Sequence, residues 1–155
     1  MIPISRRIFL SAAAAAAVLP HHGLGETSAH IHVVEGTGCE CCKQWTRYLQ
    51  ESGFEVTHEE RFGALLMQHK LDLGVPIEAS SCHTGSIDGY FLEGHVPAAD
   101  IRKLLQGRPN ARGLAVPGMP YGSPGMGLES KRDAYDVLLI RKDGRSEVFT
   151  HYPAA

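Results

Sequence analysis

Three of the four cysteines in this 155-residue chain crowd into Cys39-Glu40-Cys41-Cys42, and the fourth heads the pair Cys82-His83. Thiolates are soft donors that select copper(I), zinc or iron–sulfur centres, so three in so short a loop can wrap one ion or bridge two. Cys39 and Cys42 also have the Cys-x-x-Cys spacing of a redox dithiol, with Cys41 as an extra thiol between them. A helix beginning near Cys42 would aim free N–H groups and the positive end of its dipole at the sulfurs, which favours thiolate. A stapled disulfide framework would spread its cysteines along the chain, and adjacent Cys41 and Cys42 would make a strained pair.

Cys82 and His83 can complete a site that three thiolates begin; the alternative is a buried core cysteine beside a surface histidine. Two methionines, Met119 and Met126, lie in the rigid stretch from Val116-Pro117-Gly118 to Pro124-Gly125-Met126, outside any helical period. Thioethers bind copper(I) and cannot be lost to disulfide formation. Met67 stands beside Leu65 and Leu66 and reads as core. His58, His69 and His151 read as solvated or satisfied, and His95 as a capping or loop residue. His30-Ile31-His32 would hold copper(II) through nitrogen if cleavage after Ala29 left a free amine at His30. Gly-x-Ser-x-Gly, His-Glu-x-x-His and phosphate-cradling glycine motifs do not occur.

These residues must be placed by a small number of elements. Ile31, Val33 and Val34 read as a strand, and Trp45, Tyr48 and Leu49 as a helix that stops at Gly53. Residues 54–58 alternate as a strand, and Phe62, Leu65, Leu66 and Leu73 mark a second helix. Residues 80–93 read as two short strands about Ser86-Ile87-Asp88-Gly89, and Pro97 opens a helix with Ile101, Leu104 and Leu105 on its apolar face. Residues 110–130 show no element, and Lys142-Asp143-Gly144 turns a C-terminal hairpin. The expected fold is α/β and thioredoxin-like, β-α-β-α-β-β-α, with a Gly/Pro/Met-rich loop and a C-terminal β-hairpin. Pro76 or Pro117 would be the proline facing the cysteine loop, as a cis residue.

A formal charge of −2 and a pI near 6.5 exclude the basic field that nucleic-acid binding needs. Arg6-Arg7-Ile8-Phe9-Leu10 followed by the run from Ala12 to Leu19 reads as a signal peptide of twin-arginine type over residues 1–29, cleaved after Ala29. Its apolar core is nearer 12 residues than the roughly 20 of a spanning helix, so no membrane attachment is expected once it is removed. Residues 30–155 would then form one periplasmic domain.

Cys39-Glu40-Cys41-Cys42 with Trp45, Ser81-Cys82-His83-Thr84, Glu93-Gly94-His95-Val96-Pro97-Ala98 and Gly113 to Met126 resemble a family of small exported bacterial proteins. That family is labelled a domain of unknown function and includes the CopG-type copper-resistance proteins. The resemblance runs over about residues 31–151, with Glu40 where the family usually has Gly and Gly127 where an acidic residue is common. It implies a thioredoxin-like fold, periplasmic copper handling, and a copper or thiol oxidoreductase role, with copper ions and other copper-handling proteins as partners. The expected function is copper(I) binding through Cys39, Cys41, Cys42 and Cys82, with His83, Met119 and Met126 assisting. The rival is a thiol–disulfide oxidoreductase using Cys39 and Cys42, and the third reading is a structural zinc module. Loop methionines argue against zinc, which prefers cysteine and histidine.

Overall fold

The computed structural model describes residues 29–155. The arginine pair and the rest of the expected signal lie outside these residues. In chain order the elements are β1 (His30–Gly36), α1 (Glu40–Glu51), β2 (Glu55–Arg61), α2 (Gly63–Leu73), β3 (His83–Ile87), β4 (Tyr90–Glu93), α3 (Ala98–Gly107), β5 (Ala111–Ala115), β6 (Tyr135–Arg141) and β7 (Ser146–Tyr152). All seven strands join one mixed sheet in the order β2-β1-β3-β4-β5-β6-β7. The β1/β2 and β4/β5 pairs are parallel, with α1 and α3 as their crossovers, and the remaining pairs are antiparallel.

The sheet is covered on both faces, and the central strands alternate accordingly. Leu92 faces the larger core with Ile31, Val33, Trp45, Leu49, Ile101, Leu104 and Leu114, whereas its neighbour Phe91 joins Val75, Ala79, Ala115 and Ile140 on the opposite side. On α1 the buried residues are Cys42, Trp45, Thr46 and Leu49, one face at helical spacing. Trp45 anchors this face: it is fully buried and its indole N–H donates to Val96 O at 2.9 Å. The first turn of α1 therefore sits rigidly on the sheet with its cysteines at the C-terminal end of β1.

Three expectations need correction. The glycine- and proline-rich character of residues 110–130 hides β5, a central strand between β4 and β6. Its middle residue is Gly113 because the Phe91 ring packs on it; a Cβ there would lie 2.7 Å from Phe91 Cγ and Cδ2. The short strand shows no polar alternation because both of its faces are covered. Phe62, Leu65 and Met67, expected as helix core, are 77%, 63% and 41% exposed. The helix instead lays Leu66, His69, Lys70 and Leu73 inward, at i, i+3, i+4 and i+7, because the sheet below offers Lys70 an ionic partner. Among the described residues every peptide bond is trans, so neither Pro76 nor Pro117 is a cis proline.

Candidate metal and thiol centre

Strand β1 ends at Gly36, whose N–H donates to Cys82 O at 3.2 Å. That bond ties the approach to β3 against the loop that carries the other cysteines. Cys39 is the residue just before α1, in an extended conformation, and Cys41 and Cys42 lie in the first turn. Glu40 accepts from Gln44 Nε2 at 3.0 Å and places a carboxylate at the positive end of the helix dipole.

Cys39 and Cys42 form a disulfide, with their Cα atoms 5.4 Å apart. Cys41 and Cys82 are free thiols. Cys41 Sγ stands 3.5 Å from Cys39 Sγ and 3.6 Å from Cys82 Sγ. All four sulfurs lie within 4.8 Å of one another, contributed by two segments that the β1–β3 pairing brings together. Cys42 is fully buried, whereas Cys39, Cys41 and Cys82 are partly accessible. Burial, followed by the nearby Cys41 thiol, pushes the Cys82 pKa up to about 12.

Two imidazoles stand on the far side of Cys82. His83 is fully buried, with Nδ1 3.4 Å from Cys82 Sγ and Nε2 3.0 Å from Gly94 O. His95 places Nε2 3.9 Å from Cys82 Sγ and Nδ1 2.7 Å from Pro124 O. A carbonyl only accepts, so each ring donates its proton to the backbone and turns its lone pair toward the same sulfur. Burial holds both imidazoles neutral: His83 is pushed well below the usual histidine range, an effect that its proximity to the His95 ring reinforces, and His95 is lowered by burial as well. Backbone-oriented neutral imidazoles beside thiols form a donor set for a soft or borderline metal ion.

A buried ion pair underlies this cluster. Lys70 Nζ lies 2.6 Å from Glu93 Oε1 and 2.8 Å from Thr84 Oγ1. Glu93 also accepts from Ser81 N–H at 2.5 Å and from the Thr84 hydroxyl at 2.6 Å. The Ser81 and Thr84 contacts bracket Cys82-His83, so the charge pair holds the backbone on either side of the second sulfur. Glu35 is buried at the end of β1, and burial raises its pKa.

The Gly/Pro/Met loop closes over the site through its backbone. Met126 N–H donates to Ser123 O at 2.8 Å and Gly122 N–H to Met126 O at 2.9 Å, which makes a compact turn. Gly125, at φ +81°, lies so close to α1 that a Cβ would meet Trp45 N at 2.7 Å. With the Pro124 carbonyl on His95, this seats the turn against both the helix and the imidazole. Met126 follows that contact and is half-buried, whereas Met119 at the other end of the loop is 43% exposed.

The structure thus gathers Cys39, Cys41, Cys42, Cys82 and His83, and leaves Met119 at the surface. The bland reading of Cys82-His83 is reversed, because the histidine is the buried partner. His95, expected as a capping or loop residue, belongs to the cluster. The signal for it was the hairpin at Ser86–Gly89: counting outward pairs Thr84 with Glu93, which puts His83 beside Gly94-His95.

Two solved structures described as copper resistance protein CopG, forms 1 and 2, superpose on the chain with TM-scores of 0.76 and 0.74. They share 46% and 47% identity with it over 82% and 81% of its length and 99% of theirs. A family model described as "Protein of unknown function, DUF411" matches residues 79–126. The chain belongs to the DUF411 family that includes the CopG copper resistance proteins. No curated protein sequence matches it significantly. The DUF411 match spans Cys82, His83, His95 and both loop methionines, and stops short of the Cys39–Cys42 loop. The two CopG structures cover nearly the whole described chain.

Proposed function

We propose that this protein binds copper(I) in copper handling or resistance, through Cys39, Cys41, Cys42 and Cys82 when the Cys39–Cys42 pair is reduced. The observation that carries this reading is the convergence of four sulfurs from two segments within 4.8 Å. His83 assists from the far side of Cys82, Met126 supplies thioether where the loop folds over α1, and Met119 would have to turn inward from the surface to add a second. The copper resistance function of the two CopG structures supports the choice of copper. Soft-ligand selectivity supports the monovalent ion over zinc. Competition titration against a chromophoric copper(I) chelator tests it: reduced protein should bind at least about a hundredfold (roughly 2.7 kcal/mol) more tightly than protein with the disulfide intact. Equal affinities would remove the four-sulfur site, and preferential retention of zinc would replace copper with a structural zinc module.

A second reading, a thiol–disulfide oxidoreductase, is favoured by the pairing of Cys39 with Cys42. Cys39 is accessible and heads the helix, as an attacking thiolate must, while the buried Cys42 would resolve the mixed disulfide. The strand order β2-β1-β3-β4 with α1 and α2 as connections supports a thioredoxin-like core for either activity. Residues 1–29 act as a twin-arginine signal and residues 30–155 as the periplasmic domain. Replacing Arg6 and Arg7 with lysine should leave the precursor in the cytoplasm, and normal export of that variant would overturn the route.

A further inference from the structure

At the end of β1 opposite the cysteines, two histidine rings share one hydroxyl. His30 Nε2 and His32 Nδ1 each lie 3.1 Å from Thr57 Oγ1, so the two nitrogens are no farther apart than twice that distance. The parallel β1/β2 register causes this: His32 pairs with Thr57 and His30 with Glu55, so side chains at 30, 32, 55, 57 and 59 share one sheet face. The intervening Ile31 and Val33 are buried in the core on the other face. His30 is exposed and His32 partly so, and the face is open to solvent at this end.

We infer that His30 and His32 form a second metal site, for a divalent ion of the copper(II) type, bound through nitrogen. A hydroxyl carries a single proton, so Thr57 donates to one ring and accepts from the other. One imidazole lone pair therefore already faces the shared point. Glu59 Oε2 lies 3.8 Å from His32 Nε2, with Arg61 holding that carboxylate at 2.8 and 3.2 Å. A carboxylate beside one ring nitrogen favours the tautomer with its proton there, which leaves Nδ1 as the ligand. An ion replacing the Thr57 hydroxyl would bind both nitrogens, with the carboxylate orienting His32 from behind. Imidazole suits divalent first-row ions, and among these copper(II) binds a given nitrogen and oxygen set most tightly. The site does not depend on a free amine at His30.

The two sites are separate in space and in chemistry. The length of β1 places about 20 Å between the histidine pair and the cysteine loop. Sulfur donors on one end select the reduced ion, and nitrogen donors on the other select the divalent one. The inference stands whether or not the cysteines bind copper(I).

Substoichiometric copper(II) chloride added to the full chain, with its Cys39–Cys42 disulfide intact and Cys41 and Cys82 replaced by serine so that no free thiol reduces the ion, tests this by paramagnetic broadening of assigned NMR signals. The imidazole signals of His30 and His32, and the amides of residues 30–32 and 55–59, should broaden first. His30→Ala and His32→Ala should each weaken copper(II) binding at least about tenfold (roughly 1.4 kcal/mol) while leaving the remaining amide spectrum in place. Both substitutions are at solvent-facing positions, and copper(I) titration of the reduced double variant should match wild type. Earlier broadening at His21, His22, His58 or His151 would overturn the site, as would unchanged copper(II) affinity in the folded double variant.

Discussion

Cys41 Sγ and Cys82 Sγ stand 3.6 Å apart although 41 positions separate them in the chain. The cluster is therefore two dithiols side by side, Cys39 with Cys42 and Cys41 with Cys82, rather than a three-cysteine loop with a distant helper. With the first pair oxidised, two thiols remain to act as ligands, and its reduction restores four. Under the proposed copper(I) reading, redox state would set the number of thiols available to the ion.

If all four sulfurs ligate copper(I), Cys41→Ser and Cys82→Ser should weaken binding about as strongly as Cys39→Ser or Cys42→Ser, each by tenfold or more, roughly 1.4 kcal/mol. An oxidoreductase gives a different pattern, since Cys39 and Cys42 alone carry the exchange. Insulin reduction by copper-free Cys41→Ser protein at wild-type rate, with no loss of copper(I) affinity in the same variant, would select the enzyme.

Metal-free stability should fall as pH drops below the ordinary histidine range. His83 and His95 are held neutral by burial, so their folded pKa values lie below the unfolded one, near 6.5. The unfolded chain then takes up protons that the folded chain refuses. Their contribution is complete above about pH 6.5 and is lost progressively as pH falls, at up to about 1.4 kcal/mol per pH unit for each group. Urea denaturation between pH 7.5 and 5 measures it, and His83→Asn should flatten the slope. An equal slope in that variant would show that His83 takes up its proton in the folded state.

Much of this was legible from residue spacing. The strand–helix junction at Cys39, the hairpin at Lys142-Asp143-Gly144 and the helix after Pro97 follow from local patterns that tertiary packing leaves alone. The cysteine cluster was legible because its members are mostly neighbours in sequence. The inward face of α2 was not, because its anchor is a lysine: no apolar periodicity marks a residue buried for its charge, and Glu93 lies 23 residues away. The Cys39–Cys42 pairing follows the Cys-x-x-Cys spacing, which in sequence serves a redox dithiol and a metal loop equally. His95 escaped because a histidine at a helix entrance is ordinary until the partners of its two nitrogens are known.

The Lys70–Glu93 pair is both a stability element and a support for the site. Glu93→Gln leaves an uncompensated ammonium among buried groups, and such losses cost about 3–5 kcal/mol. Lys70→Met leaves a carboxylate that still has Ser81 N–H and the Thr84 hydroxyl as donors. The expected order is thus Glu93→Gln worse than Lys70→Met, with the double variant recovering part of the loss. Denaturation midpoints of the three proteins measure this. Losses below about 1 kcal/mol in both single variants, the range of a surface pair, would mean that water reaches the pair.

The methionines give the sharpest discrimination between metals. Gly125 and Pro124 fix the loop on α1 and on His95 through backbone contacts, so the position of Met126 is set without its own side chain. Replacing both with leucine keeps volume and apolar character and should change stability by less than about 1.5 kcal/mol. Copper(I) affinity should drop, because a thioether is a good ligand for that ion, whereas zinc binding to the thiolates should barely respond. Titrating one double variant with two metals separates ligand loss from damage to the fold, which would weaken both. Equal copper(I) affinity in wild type and variant would take the loop's side chains out of the site and leave its backbone contacts as its whole contribution.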